Sequence, residues 1–427
     1  MMMAGFAEVD ITPSGEVDLS GYVGREQPSV GVRDPISCTA LALSDGMRRA
    51  VLVSCDLIGL TYESVDRVRA YVAARAGAPE PYVFVACTHT HSGPATVDLL
   101  GCGRLEEGYL LQILPRIAEC ALAALSSLTP AEIRWGTAES KLAENRRAGG
   151  AGGAGGSQAA PEPDRTVLAV EASAGDGRCA VVRYGCHCVL LDGDNREVSA
   201  DLAGSCRDEL SDRMSGSGVV YLAGACGDVN PAGRGEVSPE QAGADLAEVA
   251  LSALRLAEPI PQDSRLAYEE VSVVLPVSIP PLEGLLADVR REHDLYIDAT
   301  YAGEDVERRV HAVREAWASQ LAESVRSGRI PEGVPLRVAR LSVGPLTFIG
   351  IAAEAFDYFD RMVRQAHGDA VFVVGYANGL VGYLPSPEAF DEGGYEVEDA
   401  HKFYGGLPLS PDAPAVALAA IDRLLWA

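Results

Sequence analysis

Basic residues are scarce in this 427-residue chain, where 35 Lys and Arg stand against 61 Asp and Glu for a formal net charge of −26. A field of that sign repels phosphate backbones and anionic lipid surfaces, which argues against nucleic acid as a partner and against stable membrane insertion. Solubility alone accounts for the acidic excess. Long apolar runs are also missing, and none reaches the length that crosses a bilayer. The stretch Met1 to Asp10 has neither the basic residues nor the apolar core of a secretory leader, so a cytoplasmic location is expected. No CxxC pair occurs among the ten cysteines, which all fall between Cys38 and Cys226, so reduced thiols are expected rather than a disulfide framework. There is no internal repeat. Histidine is rare too, at seven residues, which gives weight to any two that fall close together.

What remains is the composition of a soluble globular protein, 48% hydrophobic and 22% charged. Short β-branched and aromatic runs alternate with turn signals: Ala7 to Ile11, Cys38 to Leu43, Val51 to Asp56 and Tyr82 to Cys87. Helical spacing covers Tyr62 to Arg75, Tyr109 to Leu125 and Pro239 to Leu256, and a terminal helix is expected over Ala413 to Trp426. Further strands are expected at Thr166 to Glu171, Cys179 to Tyr184, Val219 to Ala223, Leu336 to Val343, Leu346 to Ile351 and Ala370 to Val374. The mixture is that of an α/β domain. A Gly-rich stretch over 148–163 reads as a flexible loop within one domain spanning 1–427, and 280–330 reads as a charged helical insertion. Its His293 and His311 are read as exposed helix residues.

Thr88-His89-Thr90-His91-Ser92-Gly93-Pro94 follows the run Tyr82 to Cys87. Two positions apart at a strand end, His89 and His91 are expected to project to one side and face one point in space. Several other runs also end in polar or glycine-rich turns, at His187, Gly227-Asp228, Glu354 and around Tyr383. Open α/β sheets place ligands beyond the carboxyl ends of their strands, so these residues could converge. In Cys186-His187-Cys188, either the histidine or the two cysteines can face such a point, but not all three. Two histidines and a carboxylate are a common zinc set with an open position for water, and zinc there acidifies water and polarises a carbonyl. Hydrolysis of an acyl bond is the reaction class this suggests. Spacing alone does not single out His187, Glu354 or Tyr383.

Taken in order, Ala7 to Pro13, Arg33-Asp34-Pro35-Ile36, Thr88 to Pro94, Asn145-Arg146, Tyr184-Gly185-Cys186-His187, Ser199-Ala200-Asp201, Gly224 to Pro231 and Asn378 to Tyr383 resemble the neutral, non-lysosomal ceramidase family. The Thr-His-Thr-His-Ser-Gly-Pro and Gly-Asp-Val-Asn-Pro segments carry most of the specificity. The resemblance implies a mixed-sheet ceramidase-like catalytic domain with flanking helices. It implies Zn2+ held by His89, His187, Glu354 and Tyr383, with His91 handling the proton of the attacking water and Arg146 meeting the developing oxyanion. Asn145, Asp228 and Asn230 fall in the motifs on the substrate side.

Four departures shape the expected activity. Cys188 stands where the family has a proline, and Asn230 stands where some members are reported to use a serine nucleophile, so direct attack by metal-activated water is expected. The Gly-rich stretch after Arg147 replaces a Ser-Pro motif. The secreted ceramidases carry an export signal and a C-terminal immunoglobulin-like domain, and this chain is expected to lack both. The resulting expectation is a zinc amidohydrolase acting on a small soluble or N-acyl amide. Ester or lactone opening, acyl transfer on the same site, and a non-catalytic metal-binding scaffold are the alternatives. A His-x-His amidohydrolase barrel would need further His and Asp ligands in a repeated βα pattern, which is absent. Substrate identity and oligomeric state, monomer or homo-oligomer, are left open by the sequence.

Overall fold

The strands read as unbroken apolar runs because most are covered on both faces. In the computed structural model, which describes residues 1–148, 161–175 and 177–426, they form two large stacked sheets and, among the described residues, three short two-stranded pairs. Across the nine-stranded sheet the order is Gly218–Ala223, Gly177–Tyr184, Thr166–Ala174, Thr129–Glu139, Met3–Asp10, Ser37–Ser44, Arg49–Cys55 and Tyr82–Cys87, with Glu258–Pro259 also paired to Thr129–Glu139. The middle is antiparallel. At the ends, Tyr82–Cys87 runs parallel to Arg49–Cys55 and Gly218–Ala223 parallel to Gly177–Tyr184.

Successive strand residues point to opposite faces. Ala40, Ala42, Val51, Val53, Val83 and Val85 meet the helices Tyr62–Ala73, Glu107–Ser126, Asp201–Arg213 and Pro239–Arg255. Their neighbours Leu41, Leu43, Leu52 and Phe84, with Val220 and Leu222, meet Leu341, Val343, Phe348 and Phe372 of the second sheet. That sheet has four strands, in the order Leu266–Leu275, Val334–Val343, Leu346–Ile351 and Val371–Val374. Its far face, including Val338, Ile349 and Val373, is closed by helices Asp357–His367 and Ala413–Trp426. Each fully buried side chain in the inter-sheet layer contributes about 1.5–3 kcal/mol relative to exposure. The result is four layers, helix, sheet, sheet, helix. The sequence implied an α/β mixed-sheet domain with flanking helices, and that is the architecture. It did not reveal that a second sheet stacks on the first.

Helix Glu107–Ser126 corrects one expectation, since by length and composition it is apolar enough to cross a bilayer. Here Ile113, Ile117, Ala121 and Ala124 pack it into the core beside the first sheet. Helix Asp201–Arg213 was not expected, because small and polar residues blur its spacing. Helices Leu282–Ala302 and Asp305–Ser327 form a hairpin, each ending at a left-handed glycine, Gly303 and Gly328, as helix C-termini commonly do. On it His293 is exposed and sits 3.2 Å from Glu315, whereas His311 is only half-buried and lies 2.7 Å from the buried Glu292. His311 is therefore not the exposed residue expected, because the second helix turns it toward its partner. Of the Gly-rich loop expected over 148–163, residues 149–160 lie outside the described residues. All ten cysteines are free and buried.

Candidate metal centre

The parallel strands end together. His89 and His91 follow Tyr82–Cys87, His187 follows Gly177–Tyr184, Asp228 follows Gly218–Ala223, and Glu354 follows Leu346–Ile351. The two sheets are joined at these ends by backbone hydrogen bonds from Cys87 N to Tyr376 O (3.2 Å) and from Gly375 N to Ala223 O (3.1 Å). Ligand sites in open α/β sheets lie at such carboxyl ends.

The two histidines do not converge by strand parity, as expected, because the strand stops at Cys87 and His89 has a left-handed φ of 61°. A non-glycine residue holds that conformation, at a cost of about 1–3 kcal/mol, only where its surroundings over-determine it. They do so here. His89 N donates to Leu57 O at 3.0 Å, Thr90 Oγ1 donates to Ser199 O at 2.8 Å, and Arg25 donates to His91 O at 2.8 Å. Behind Ser199, Asp34 accepts from the Ser199 hydroxyl (2.5 Å) and from Ala200 N (2.7 Å). The motifs around Asp34 and Ser199 thus brace the histidine turn.

At the centre, Glu354 Oε2 lies 3.2 Å from His89 Nε2 and 3.3 Å from His187 Nε2. The opposite ring nitrogens are tied to carbonyls, His89 Nδ1 to Ile58 O at 2.6 Å and His187 Nδ1 to Cys226 O at 2.5 Å. A carbonyl only accepts, so each Nδ1 carries the proton and each neutral Nε2 presents a lone pair. Burial pulls His187 down to about 4, which keeps it neutral near pH 7. Two lone pairs and a carboxylate oxygen therefore face one another in a buried space, and Glu354 Oε2 and His187 Nε2 have no hydrogen-bond partner. Such a donor set fits a cation.

His91 completes a group of three imidazoles whose ligand atoms lie within 4.8 Å of one another. Its ring centroid is 4.9 Å from that of His89 and 5.8 Å from that of His187. Both of its ring nitrogens are buried without a partner, and burial, with the neighbouring histidines, holds it well below the usual imidazole range. It is a neutral base aimed into the site.

Strand pairing sets Tyr383 directly beside Glu354. Its hydroxyl accepts a hydrogen bond from Arg146 Nη2 at 3.1 Å. Arg146 is also bound by Glu396, with Nη2 to Oε1 at 2.7 Å, and Glu396 Oε2 receives Arg147 Nη1 at 2.5 Å. Asn145 and Asp228 are brought together, but with each other: Asn145 Nδ2 donates to Asp228 Oδ2 at 3.0 Å, and Asp228 Oδ1 accepts from Asp357 N at 2.8 Å. They hold the Arg146 loop and a helix N-terminus in place. Asn230 keeps a buried Oδ1 with no partner. Cys186 and Cys188 point into the core, which leaves His187 as the one member of its triplet in the site.

Four residues near the centre were missed. Tyr376, whose ring stacks on His89 at 4.0 Å, follows a strand end just as His187 does, so that signal could have found it. Arg25, Glu396 and Tyr404 lie in loops or one-turn helices, where spacing carries no signal.

A family model described as neutral/alkaline non-lysosomal ceramidase, N-terminal, matches residues 2–253. His89, His91, Arg146 and His187 fall inside that span, and Glu354 and Tyr383 beyond it. The neutral ceramidase of Pseudomonas aeruginosa shares the fold, with a TM-score of 0.73 at 18% identity, covering 99% of this chain and 74% of that one. A structure described as ceramidase complexed with C2 is similar at the same score and identity, covering 99% and 76%. No curated protein matches the chain.

Proposed function

The chain belongs to the neutral/alkaline non-lysosomal ceramidase family, and on that premise we propose that it is a zinc-dependent amidohydrolase cleaving the N-acyl bond of a small soluble substrate. The observation that carries this reading is the meeting of His89 Nε2, His187 Nε2 and Glu354 Oε2 with both Nδ1 atoms committed to carbonyls. Tyr383, alongside Glu354, is the fourth protein ligand in this reading. When bound, zinc supplies Lewis acidity toward the scissile carbonyl and lowers the pKa of a water.

The chain's own groups do the rest. Neutral His91 takes the proton from the attacking water and returns it to the departing amine. Arg146 stays ionised although burial works against it, because Tyr383 and Glu396 stand beside it, and it stabilises the charge that develops on the carbonyl oxygen in the transition state. Asn145 and Asp228 keep the Arg146 loop in register. Asn230, at the position of the serine some relatives are reported to use, has no hydroxyl to acylate, which favours water as nucleophile.

The reading toward a small soluble substrate is supported by the net charge of −26, which disfavours work at an anionic membrane surface. A panel of N-acyl amines of increasing chain length, with matched esters and amine acceptors, tests this directly. Zinc-dependent hydrolysis of short N-acyl amines is expected. Turnover that survives complete chelation, or that occurs only on long-chain amides, contradicts it.

A further inference from the structure

Glu354 turns one carboxylate oxygen, Oε2, toward the two histidines, and its other oxygen, Oε1, accepts a hydrogen bond from the Tyr404 hydroxyl at 2.5 Å. Tyr404 follows the one-turn helix Ala400–Phe403, outside every motif discussed above. Its ring lies over Gly382, whose φ is 108° and where a Cβ would come within 3.3 Å of the ring. Glycine at 382 thus permits both the turn into Tyr383 and the approach of Tyr404. The segment is anchored from the helical hairpin. Arg314 is 2.5 Å from Asp399, which also receives Lys402 at 2.8 Å, and Trp317 Nε1 donates to Gly406 O at 2.8 Å.

We propose that Tyr404 is a positioning residue for Glu354, fixing the rotation of its carboxylate so that Oε2 faces the metal. The inference rests on the metal-centre reading above. A terminal carboxylate torsion is broad and nearly two-fold, so nothing in Glu354 itself decides which oxygen faces the histidines or at what tilt. The Tyr404 hydroxyl decides it. Hydrogen-bond partners behind a metal ligand typically contribute 10–100-fold in metal affinity.

The test is a zinc titration of metal-free protein against a chromogenic chelator for the parent, Tyr404→Phe, Glu354→Gln and the double variant. Phenylalanine keeps the ring over Gly382 and removes only the O–H, and overlapping urea unfolding curves of the metal-free forms establish that the fold is kept. Tyr404→Phe is expected to bind zinc roughly 10–100-fold more weakly than the parent. In the Glu354→Gln background the same change is expected to add nothing, because its only route to the metal is gone. A folded Tyr404→Phe with parental affinity, or an equal further loss in the Glu354→Gln background, overturns the proposal. A parent that binds no zinc refutes the metal-centre reading itself, and the two failures are thereby distinguished.

Discussion

Replacing Glu396 with glutamine probes the half of the site that holds Arg146. Glu396 is 7% exposed, and its two oxygens serve two guanidinium groups, Oε1 taking Arg146 at 2.7 Å and Oε2 taking Arg147 at 2.5 Å. Arg147 retains Glu392 at 3.3 Å, whereas among the described residues the Tyr383 hydroxyl is the one other side-chain partner of Arg146. Removing one member of a buried ion pair outright costs about 3–5 kcal/mol, because the remaining charge is left without its counter-ion. Glutamine keeps one acceptor oxygen but turns an amide N–H₂ toward the other arginine. The expected loss is therefore about 2–4 kcal/mol, one charge-assisted hydrogen bond plus part of the ion pairing. Activity is expected to fall roughly 10²-fold, since a displacement of about 1 Å in a reacting group costs that much. Urea unfolding gives the first quantity as a lowered midpoint at unchanged slope, and kcat on an N-acyl amine gives the second. A Glu396→Gln protein with parental stability and parental kcat refutes the claim that this carboxylate positions Arg146.

Other perturbations reach different parts of the account. His91→Ala is expected to keep its zinc and lose about 10²–10⁴-fold in kcat, checked by metal content and steady-state kinetics on the same sample. Gly21→Ala is expected to disturb the same base without touching a ligand. Gly21 has a φ of 98°, and an added Cβ would meet His91 Nδ1 at 2.4 Å, so kcat should fall while zinc stoichiometry stays unchanged. Asp357→Asn tests a buried carboxyl raised to about 7, chiefly by burial and then by Asp228. An acid with a raised folded pKa is more protonated in the fold than in the unfolded chain, so its contribution is complete below about pH 4 and is lost as the pH rises toward 7. Asparagine does not titrate. Denaturation at pH 4 and at pH 8 is therefore expected to show the stability difference moving toward the variant at the higher pH, on the order of a few kcal/mol, and parallel pH profiles would contradict it.

How far the sequence speaks for the fold depends on the periodicity each element carries. Tyr82–Cys87 and Leu346–Ile351 were legible to the residue, because short β-branched runs between turn signals have few other readings. The stacking of two sheets was not, since an apolar residue such as Phe84 looks the same whether a helix or a second sheet covers it. In the site, His89 and His91 were visible as a pair, but the reason they converge is a left-handed turn braced by Thr90, Ser199 and Arg25, not strand alternation. Glu354 and Tyr383 became specific only through the family resemblance, and their adjacency is a two-residue parallel pairing that no local pattern announces. Glu396 and Tyr404 were invisible for a related reason. Both work through long-range hydrogen-bonding contacts from an irregular segment, and such contacts leave no period in the chain.

Zinc stoichiometry and affinity of the purified parent, measured beside His89→Ala, test the central claim most directly. The account predicts one zinc per chain in the parent and its loss in His89→Ala, with the fold retained, because His89 Nε2 is one of the lone pairs that meet Glu354 Oε2. A parent that binds no zinc, or a folded His89→Ala protein with the parental zinc content and affinity, would contradict it.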